Sequence, residues 1–436
     1  MIDVLSLNGI YGGGGIHCVT MQQLKINPIM KYISLVIIIL LMSCENREKQ
    51  AEKFTYPPEW EPHEAIWTDF NFEPWGFPSE EARLTLIATL AKHVKTKVVY
   101  DNDSLMDAGM KQLQVQGANM DSIEWIKLPY WSSWMRDPLM FITDGQKNKI
   151  LDFEWSCYGG IYGCDEDLRG LLSNTLQELK GYQKDSTGLF FEGGAIEVNT
   201  STIIAYKALA TQRNPDRTIQ EVEQILLDKL GKEQIIWLDE FPLIDKPGMK
   251  IDNFFGQGAN GHIDVTTRFL NDTTILATVI AEEDRDKNSM LTYDYEVVQK
   301  NLAQLKAAKQ PNGKPYHIET IEAPDYSLFG FPYQMTEDLY YGLLSESSRE
   351  GISLGDSIVM VPALEYANFT ITNGVVIASK YWKEGMPESE KKKDEKLRAI
   401  LEKYFPNRDI FTYDALTINW GGGGVHCRTQ QEPRID

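Results

Sequence analysis

Alternating and helical patterns of apolar residues trade places along this chain in a recurring order. Leu84 to Val94 carries apolar positions at helical spacing and gives way to the strand-like Lys97-Val98-Val99-Tyr100. Ser122 to Leu128 reads as a strand running into an aromatic loop that ends at Trp134, and Leu139 to Thr143 with Lys149 to Phe153 flank Asp144-Gly145, a hairpin signal. Further on, Asp167 to Leu179, Thr218 to Leu230, Tyr293 to Lys306 and Glu388 to Tyr404 read as helices. Each is followed or preceded by short strands: Ile196–Val198, Thr202–Tyr206, Gln234–Leu238, His262–Phe269, Thr273–Ala277, Tyr316–Ile321, Ser357–Pro362, Phe369–Asn373, Val375–Ala378 and Ile410–Tyr413. Two strands, a helix and another strand recur several times. That rhythm predicts a repeated α/β unit arranged around an axis. Polar residues with chemical potential are expected just after strands, where loops would converge on one centre.

The N-terminal region reads differently. Met30-Lys31-Tyr32 precedes an apolar run from Ile33 to Met42 and then Ser43-Cys44, the layout of a secretion signal. The run is short for an ordinary transmembrane helix. Leu41-Met42-Ser43-Cys44 resembles a bacterial lipobox, in which Cys44 would be lipidated and become the mature N-terminus; a plain signal peptide or membrane anchor is the alternative. The expected organisation is an extension over 1–29, a signal peptide over 30–43, a tether over 44–53 and a single catalytic domain over 54–436. Translation is then expected to start at Met30.

Composition narrows the function classes. The 436 residues carry a formal net charge of −20. Nucleic-acid binding needs a basic footprint and is disfavoured, whereas a cationic substrate would be drawn in by such a field. Five cysteines are present. Cys157 and Cys164 are either a small loop disulfide or two free thiols, and Cys427 is left unpaired, as a nucleophile requires. Six histidines without zinc-finger spacing argue against a metal site, and no motif implies a cofactor.

Two glycine-rich strings end in a thiol: Gly12-Gly13-Gly14-Gly15-Ile16-His17-Cys18 and Gly421-Gly422-Gly423-Gly424-Val425-His426-Cys427. Glycines let a substrate approach the backbone closely, and cysteine is the side chain best suited to covalent attack near neutral pH. Cys18 has no following domain to supply partners and reads as a decoy. His426 is not expected to be the base for Cys427, because adjacent side chains in an extended segment point to opposite faces. Three further clusters sit near turns: Trp134-Met135-Arg136-Asp137, Phe191-Glu192-Gly193-Gly194 and Gly261-His262-Ile263-Asp264. Each alone is weak. An Arg-Asp neighbour pair is commonly a surface ion pair, Glu-Gly-Gly commonly a turn, and a lone His-x-Asp more often structural.

Taken in order with Pro58-Glu59-Trp60-Glu61-Pro62-His63, Tyr366-Ala367-Asn368-Phe369 and Cys427-Arg428-Thr429-Gln430-Gln431, these strings resemble the agmatine deiminase and Porphyromonas-type peptidylarginine deiminase family of guanidine-modifying enzymes. The resemblance covers nearly everything after Lys53. It implies a pentein fold, a five-bladed pseudo-symmetric α/β propeller of ββαβ units. It implies a catalytic set of Cys427, His262, Glu192, Asp137 and Asp264, with substrate contacts from Asp137, Asp264, Trp134, Trp67, Gly424 and Arg428. Cys427 would attack the guanidinium carbon, His262 would serve as acid and base, Glu192 would orient His262, and the two aspartates would grip the N–H fork.

The substrate is expected to be a small cationic guanidine such as agmatine, or an arginine peptide. Pro138-Leu139-Met140, Asn260, Phe70-Asn71 and Arg428 depart from the usual agmatine-deiminase pattern, and export fits a polyamine precursor poorly. In the second reading Arg428 would face either a peptide or nothing at all. Amidino transfer to an amine, and a catalytically silent guanidinium- or peptide-binding lipoprotein, are rivals from other classes. Membrane contact is expected only through a lipid anchor, and the sequence sets no oligomeric state.

Overall fold

The computed structural model describes residues 53–71, 78–128, 134–161, 171–343 and 346–436. Cys18, Met30, the lipobox with Cys44, and Cys164 lie outside the described residues. Lys53–Asp436 forms one compact unit. Five of its sheets share a single plan: an antiparallel pair of strands, then a third strand parallel to the second and reached through a helix.

The first blade joins the two ends of this unit. Gln430–Pro433 lies antiparallel to His63–Asp69, which runs parallel to Lys95–Tyr100 and is linked to it by the helix Glu80–Leu90. Ile123–Lys127 extends this blade as a fourth strand. The second blade is Leu139–Thr143, Asn148–Glu154 and Gln183–Phe190. The third is Glu197–Val198, Thr202–Tyr206 and Gln234–Leu238. Thr267–Asn271, Thr274–Val279 and His317–Glu322 make the fourth, and Thr370–Thr372, Val375–Ser379 and Asp409–Tyr413 the fifth. The expected ββαβ propeller is therefore present. A sixth sheet, Lys250–Ile251, Phe254–Gly256, Ser357–Val361 and Phe331–Gln334, lies outside the five-fold rhythm. Only its strand Ser357–Val361 was visible in the apolar pattern, because the other strands are short and no more than half-buried in places.

The strand sequences follow from this layering. Leu139–Thr143, Thr202–Tyr206 and Val375–Ser379 are buried at every position, so they read as continuous apolar runs rather than alternations. The helices are amphipathic. Ile219–Leu230 buries Val222, Leu226 and Leu230, one residue every turn, against the third blade. Its ends are specified locally: Thr218 and Glu221 form a reciprocal capping box, and Gly231 closes the helix in the left-handed conformation at φ 64°. Among the described residues no helix is long and apolar enough to cross a membrane.

Trp67, expected at the substrate, belongs instead to this scaffold. It is fully buried, stacks on Phe141 at 5.7 Å, and its indole N–H donates to Glu432 Oε2 at 2.8 Å. The same oxygen accepts from Lys97 Nζ at 2.6 Å, and Glu432 Oε1 accepts from Tyr182 at 2.6 Å. Glu432 thus fastens the closing strand to its own blade and to the residue that leads into the last strand of the next. The sequence reading missed this because a tryptophan in a family motif looks the same whether it faces ligand or core.

Removing the Glu432 carboxylate leaves Lys97 charged and largely buried. Glu432→Ala is expected to lower unfolding free energy by about 3–5 kcal/mol. Thr218→Ala, which removes one helix cap, should cost only about 1 kcal/mol. Urea denaturation of the two variants checks the ranking.

Candidate active site

The chemistry sits in the segments that run into the first strand of each blade, and only Glu192, two residues after Gln183–Phe190, directly follows a strand as expected. Asp137 precedes Leu139–Thr143, Glu192 precedes Glu197–Val198, and His262 and Asp264 precede Thr267–Asn271. Asn368 precedes Thr370–Thr372, and Cys427 precedes Gln430–Pro433. The quasi-repeat thus delivers one polar segment per blade, and residues up to 290 positions apart converge. His262 and Asp264 were expected inside a strand; they lie in a 3-10 turn whose strand begins only at Thr267. Asp245 shapes that turn by accepting the backbone N–H groups of Ala259, Gly261 and His262 at 2.7, 2.8 and 2.7 Å. Burial raises its carboxyl to about 6 against the pull of His262 and these three donors. Gly261 is required there, with φ +113° and no room for a Cβ beside Leu209 and Phe241.

His262 is fully buried, with Nδ1 3.7 Å from Asp137 Oδ1 and Nε2 4.0 Å from Glu192 Oε2. Gly194 lets it approach, since a Cβ at that position would collide with His262 Nδ1. Among the described residues neither ring nitrogen has a hydrogen-bond partner, and the same holds for Glu192 Oε2 and Asp264 Oδ1. Such atoms, buried and aimed inward, are what a guanidinium and a departing amine would satisfy. Burial lowers the affinity of His262 for a proton, but Asp137, Asp264, Glu192 and Asp245 outweigh it and hold the imidazole above its usual range. Glu192 is itself held by Arg213, whose Nε donates at 2.9 Å.

Cys427 is a free, buried thiol. Its Sγ receives the Asn368 amide N–H at 3.1 Å and donates to Asp264 Oδ2 at 3.4 Å. The Asn368 oxygen accepts the backbone N–H groups of His426 and Cys427 at 2.9 and 3.2 Å, so one amide fixes the whole nucleophile loop. Gly424 packs on that amide too closely for any Cβ. Burial pushes the thiol well above its ordinary range; Asp264, Glu365 and Asp137 push the same way, and the Gly424 N–H opposes them. Sγ, a His262 nitrogen and an Asp264 oxygen all fall within 4.8 Å of one another, close enough to converge on one atom.

The two aspartates differ. Burial raises Asp137 to about 6 despite His262 and the Tyr158 hydroxyl, which donates to Oδ2 at 2.9 Å. Asp264 is also buried, yet His426 and His262 hold it below the usual carboxylate range. His426 Nδ1 lies 2.6 Å from Asp264 Oδ2, and its Nε2 lies 2.7 Å from Glu59 Oε1. Carboxylates only accept, so both ring nitrogens donate and the ring is a cation. His426 and the Cys427 thiol thus meet the same Asp264 oxygen, and because residues 425–428 form a turn, the extended-segment argument does not apply here.

Arg136 and Asp137 are not a surface pair. Asp137 faces the site, while Arg136 turns into the core and donates to Glu59 Oε1 and Gln431 Oε1, each at 2.6 Å. Arg428 is corrected likewise. It is fully buried, its guanidinium lies 4.1 Å from the centre of the Trp134 ring, and it is ion-paired with Asp69 at 3.4 Å. It supports Trp134 from behind instead of facing a peptide. Trp134 in turn packs against Gly423 and shares an apolar cluster with Cys427. Cys157 is disulfide-bonded, with its partner outside the described residues.

Sequence reasoning missed Asn368, His426, Glu59, Tyr158, Arg213, Asp245 and Glu365. Asn368 and Glu59 lay within the family strings and were findable there. Glu365 is buried beside the same centre, where burial and then Asp264, Asp245 and Asp137 hold its carboxyl well above the usual range. Nothing local in the sequence marks it.

A buried thiol, an imidazole with raised proton affinity and paired carboxylates define a hydrolase acting on amidines through a cysteine. The family model described as Porphyromonas-type peptidyl-arginine deiminase matches residues 55–433, and the chain belongs to that family. It is similar to an agmatine deiminase of Pseudomonas syringae pv. tomato, 24% identical over 410 residues that span 90% of this chain and 99% of the relative. Two solved structures share the fold. An agmatine deiminase of Enterococcus faecalis superposes with a TM-score of 0.68 at 22% identity, over 88% of this chain and 97% of its own. A C. jejuni agmatine deiminase with substrate bound gives 0.65 at 19% identity, over the same shares.

The raised thiol has a direct consequence. Alkylation of Cys427 by a neutral haloacetamide should be slow at pH 7 and should still be rising above pH 9. A bound guanidinium too small to block the sulfur should accelerate it. Stopped-time labelling with mass spectrometry at Cys427 checks both, and unchanged reactivity with bound guanidinium would contradict the electrostatic account.

Proposed function

We propose that the protein hydrolyses agmatine, or a small guanidine like it, to N-carbamoylputrescine and ammonia through a covalent thiouronium on Cys427. The carrying observation is the convergence of the Cys427 thiol with His262, Asp137 and Asp264 around unpartnered buried acceptors. A guanidinium is planar and cationic, and carboxylates grip its N–H fork in paired bonds. With Asp137 and Asp264 on that fork, the thiolate attacks the central carbon and a tetrahedral adduct forms. His262 gives its proton to one nitrogen, the C–N bond breaks, and ammonia leaves. The now neutral His262 takes a proton from water, which attacks the thiouronium carbon. The C–S bond then breaks, leaving a ureido group and the regenerated thiol. Glu192 keeps His262 oriented and charged for the first half.

Two lines support the small-guanidine reading. The Pseudomonas relative and the Enterococcus and C. jejuni structures are named agmatine deiminases. Arg428, the departure that most favoured a peptide, is committed to Asp69 and Trp134. Conversion of peptidyl arginine to citrulline is the second reading, favoured by the family's own description. Export as a lipoprotein anchored at Cys44 is part of the proposal and rests on the sequence signals alone. Globomycin sensitivity and palmitate labelling of Cys44 would test it.

Ammonia and ureido release from agmatine, free arginine and arginine peptides, assayed side by side, tests the substrate. Cys427→Ala should abolish turnover by on the order of 10⁴-fold or more. Turnover of peptides but not agmatine would overturn the small-guanidine reading. The pH profile is also set. Asp137 must be ionised to bind a cation and its carboxyl lies at about 6, so kcat/KM should rise with pH through that value. His262 must be protonated for the first step, so activity should fall again once pH passes its raised range.

A further inference from the structure

Four consecutive residues adopt a left-handed backbone: Cys157 at φ 52°, Tyr158 at 60°, Gly159 at 77° and Gly160 at 76°. The two non-glycine members are strained there, and such strain persists only where surrounding structure enforces it. Three restraints do so. Cys157 is disulfide-bonded. Ser156 accepts the Gly159 N–H at 3.0 Å and the Gly160 N–H at 2.7 Å. Asn260, itself left-handed at φ 64°, donates its amide to the Tyr158 carbonyl at 3.0 Å. The outer side of the turn lines a cavity of about 600 Å³ with Gln212 and Asn260, so an unrestrained turn has room to swing out.

The enforced shape puts one side chain in the active site. The Tyr158 hydroxyl donates to Asp137 Oδ2 at 2.9 Å, and its ring lies 5.6 Å from the His262 ring. Asp137 Oδ1 accepts the Gly194 N–H at 3.1 Å, so the two bonds together fix the carboxylate plane. Gly159, next along, packs against the Arg213 guanidinium that holds Glu192. We infer that Tyr158 is a positioning residue that aims Asp137 at the guanidinium and keeps it ionised, and that the disulfide at Cys157 is the staple that presents it. The inference rests on the role of Asp137 proposed above.

Asp137 is faced by His262 and Tyr158, which favour its charge, and by Asp264 and Glu192, which oppose it. Loss of the tyrosine bond therefore moves its ionisation to higher pH. In the full chain, Tyr158→Phe is expected to shift the acid limb up by roughly one unit, chiefly through KM, which lowers kcat/KM for agmatine by about threefold near pH 6.5 and by about tenfold below pH 5. Cys157→Ser should move the limb in the same direction. An acid limb that stays in place in Tyr158→Phe, even with a lowered Tm, would reduce Tyr158 to a packing residue and overturn the inference. An unmoved limb in Cys157→Ser would overturn the staple. Asp137→Asn separates the two levels: full activity in that variant would refute the substrate role of Asp137 itself.

Discussion

The arrangement depends on one buried carboxylate, Glu59. Its Oε1 receives Arg136 and His426, and its Oε2 receives Arg268 at 2.7 Å. Arg268 also holds Glu197 at 2.8 Å and the carbonyls of Ala367 and Phe369, which flank Asn368. Arg136 is the chain neighbour of Asp137, and His426 that of Cys427. The Asp137 and Cys427 segments are thus tied, one residue away, to the same acceptor, and the Asn368 segment is tied to it through Arg268. Burial would raise the Glu59 carboxyl, but His426, Arg136 and Arg268 hold it well below the usual range. A charge that dense cannot lose a partner cheaply, since a buried ion left alone costs several kcal/mol. The network therefore favours the one geometry in which all blades meet.

That division of labour explains why the catalytic segments come as pairs of adjacent polar residues. In Arg136-Asp137 and His426-Cys427 one side chain faces the reaction and the other faces Glu59. Both pairs lie in turns or bends, where the two side chains diverge, so the same two residues serve the site and its foundation. An isolated Arg-Asp pair in sequence carries no sign of this, which is why it reads as a surface ion pair.

The strands and helices of the propeller were legible because burial on both faces leaves continuous apolar runs, and because helices such as Ile219–Leu230 carry their own caps. The five residues proposed for the chemistry were expected from strings that constrain their neighbours too, and the fold brings their side chains together. What escaped the sequence was side-chain direction. Trp67 and Arg428 lie in the same strings as true site residues, yet each is turned into the scaffold by a partner far along the chain, Glu432 and Asp69. Tyr158 escaped for the opposite reason: its conformation is left-handed and its contact with Asp137 is made by tertiary restraint. The sixth sheet escaped because its short strands carry little pattern.

The electrostatics of the centre also limit what it can attack. Acidic side chains around a buried sulfur favour the thiol, and a neutral thiol is a poor nucleophile. In the proposed reaction a guanidinium seated between Asp137 and Asp264 would supply the missing positive charge within the same low-dielectric space, where a charge interaction is worth far more than in water. Nucleophile activation is then coupled to recognition: a neutral electrophile meets a protonated sulfur, while a cation of the right shape meets a thiolate. His426 makes this compatible with a stable fold, because it partners Oδ2 of Asp264, the oxygen beside the thiol, and leaves Oδ1 for the ligand. Under the proposed function, selectivity for guanidines would arise from the charge balance of the resting site as well as from its shape.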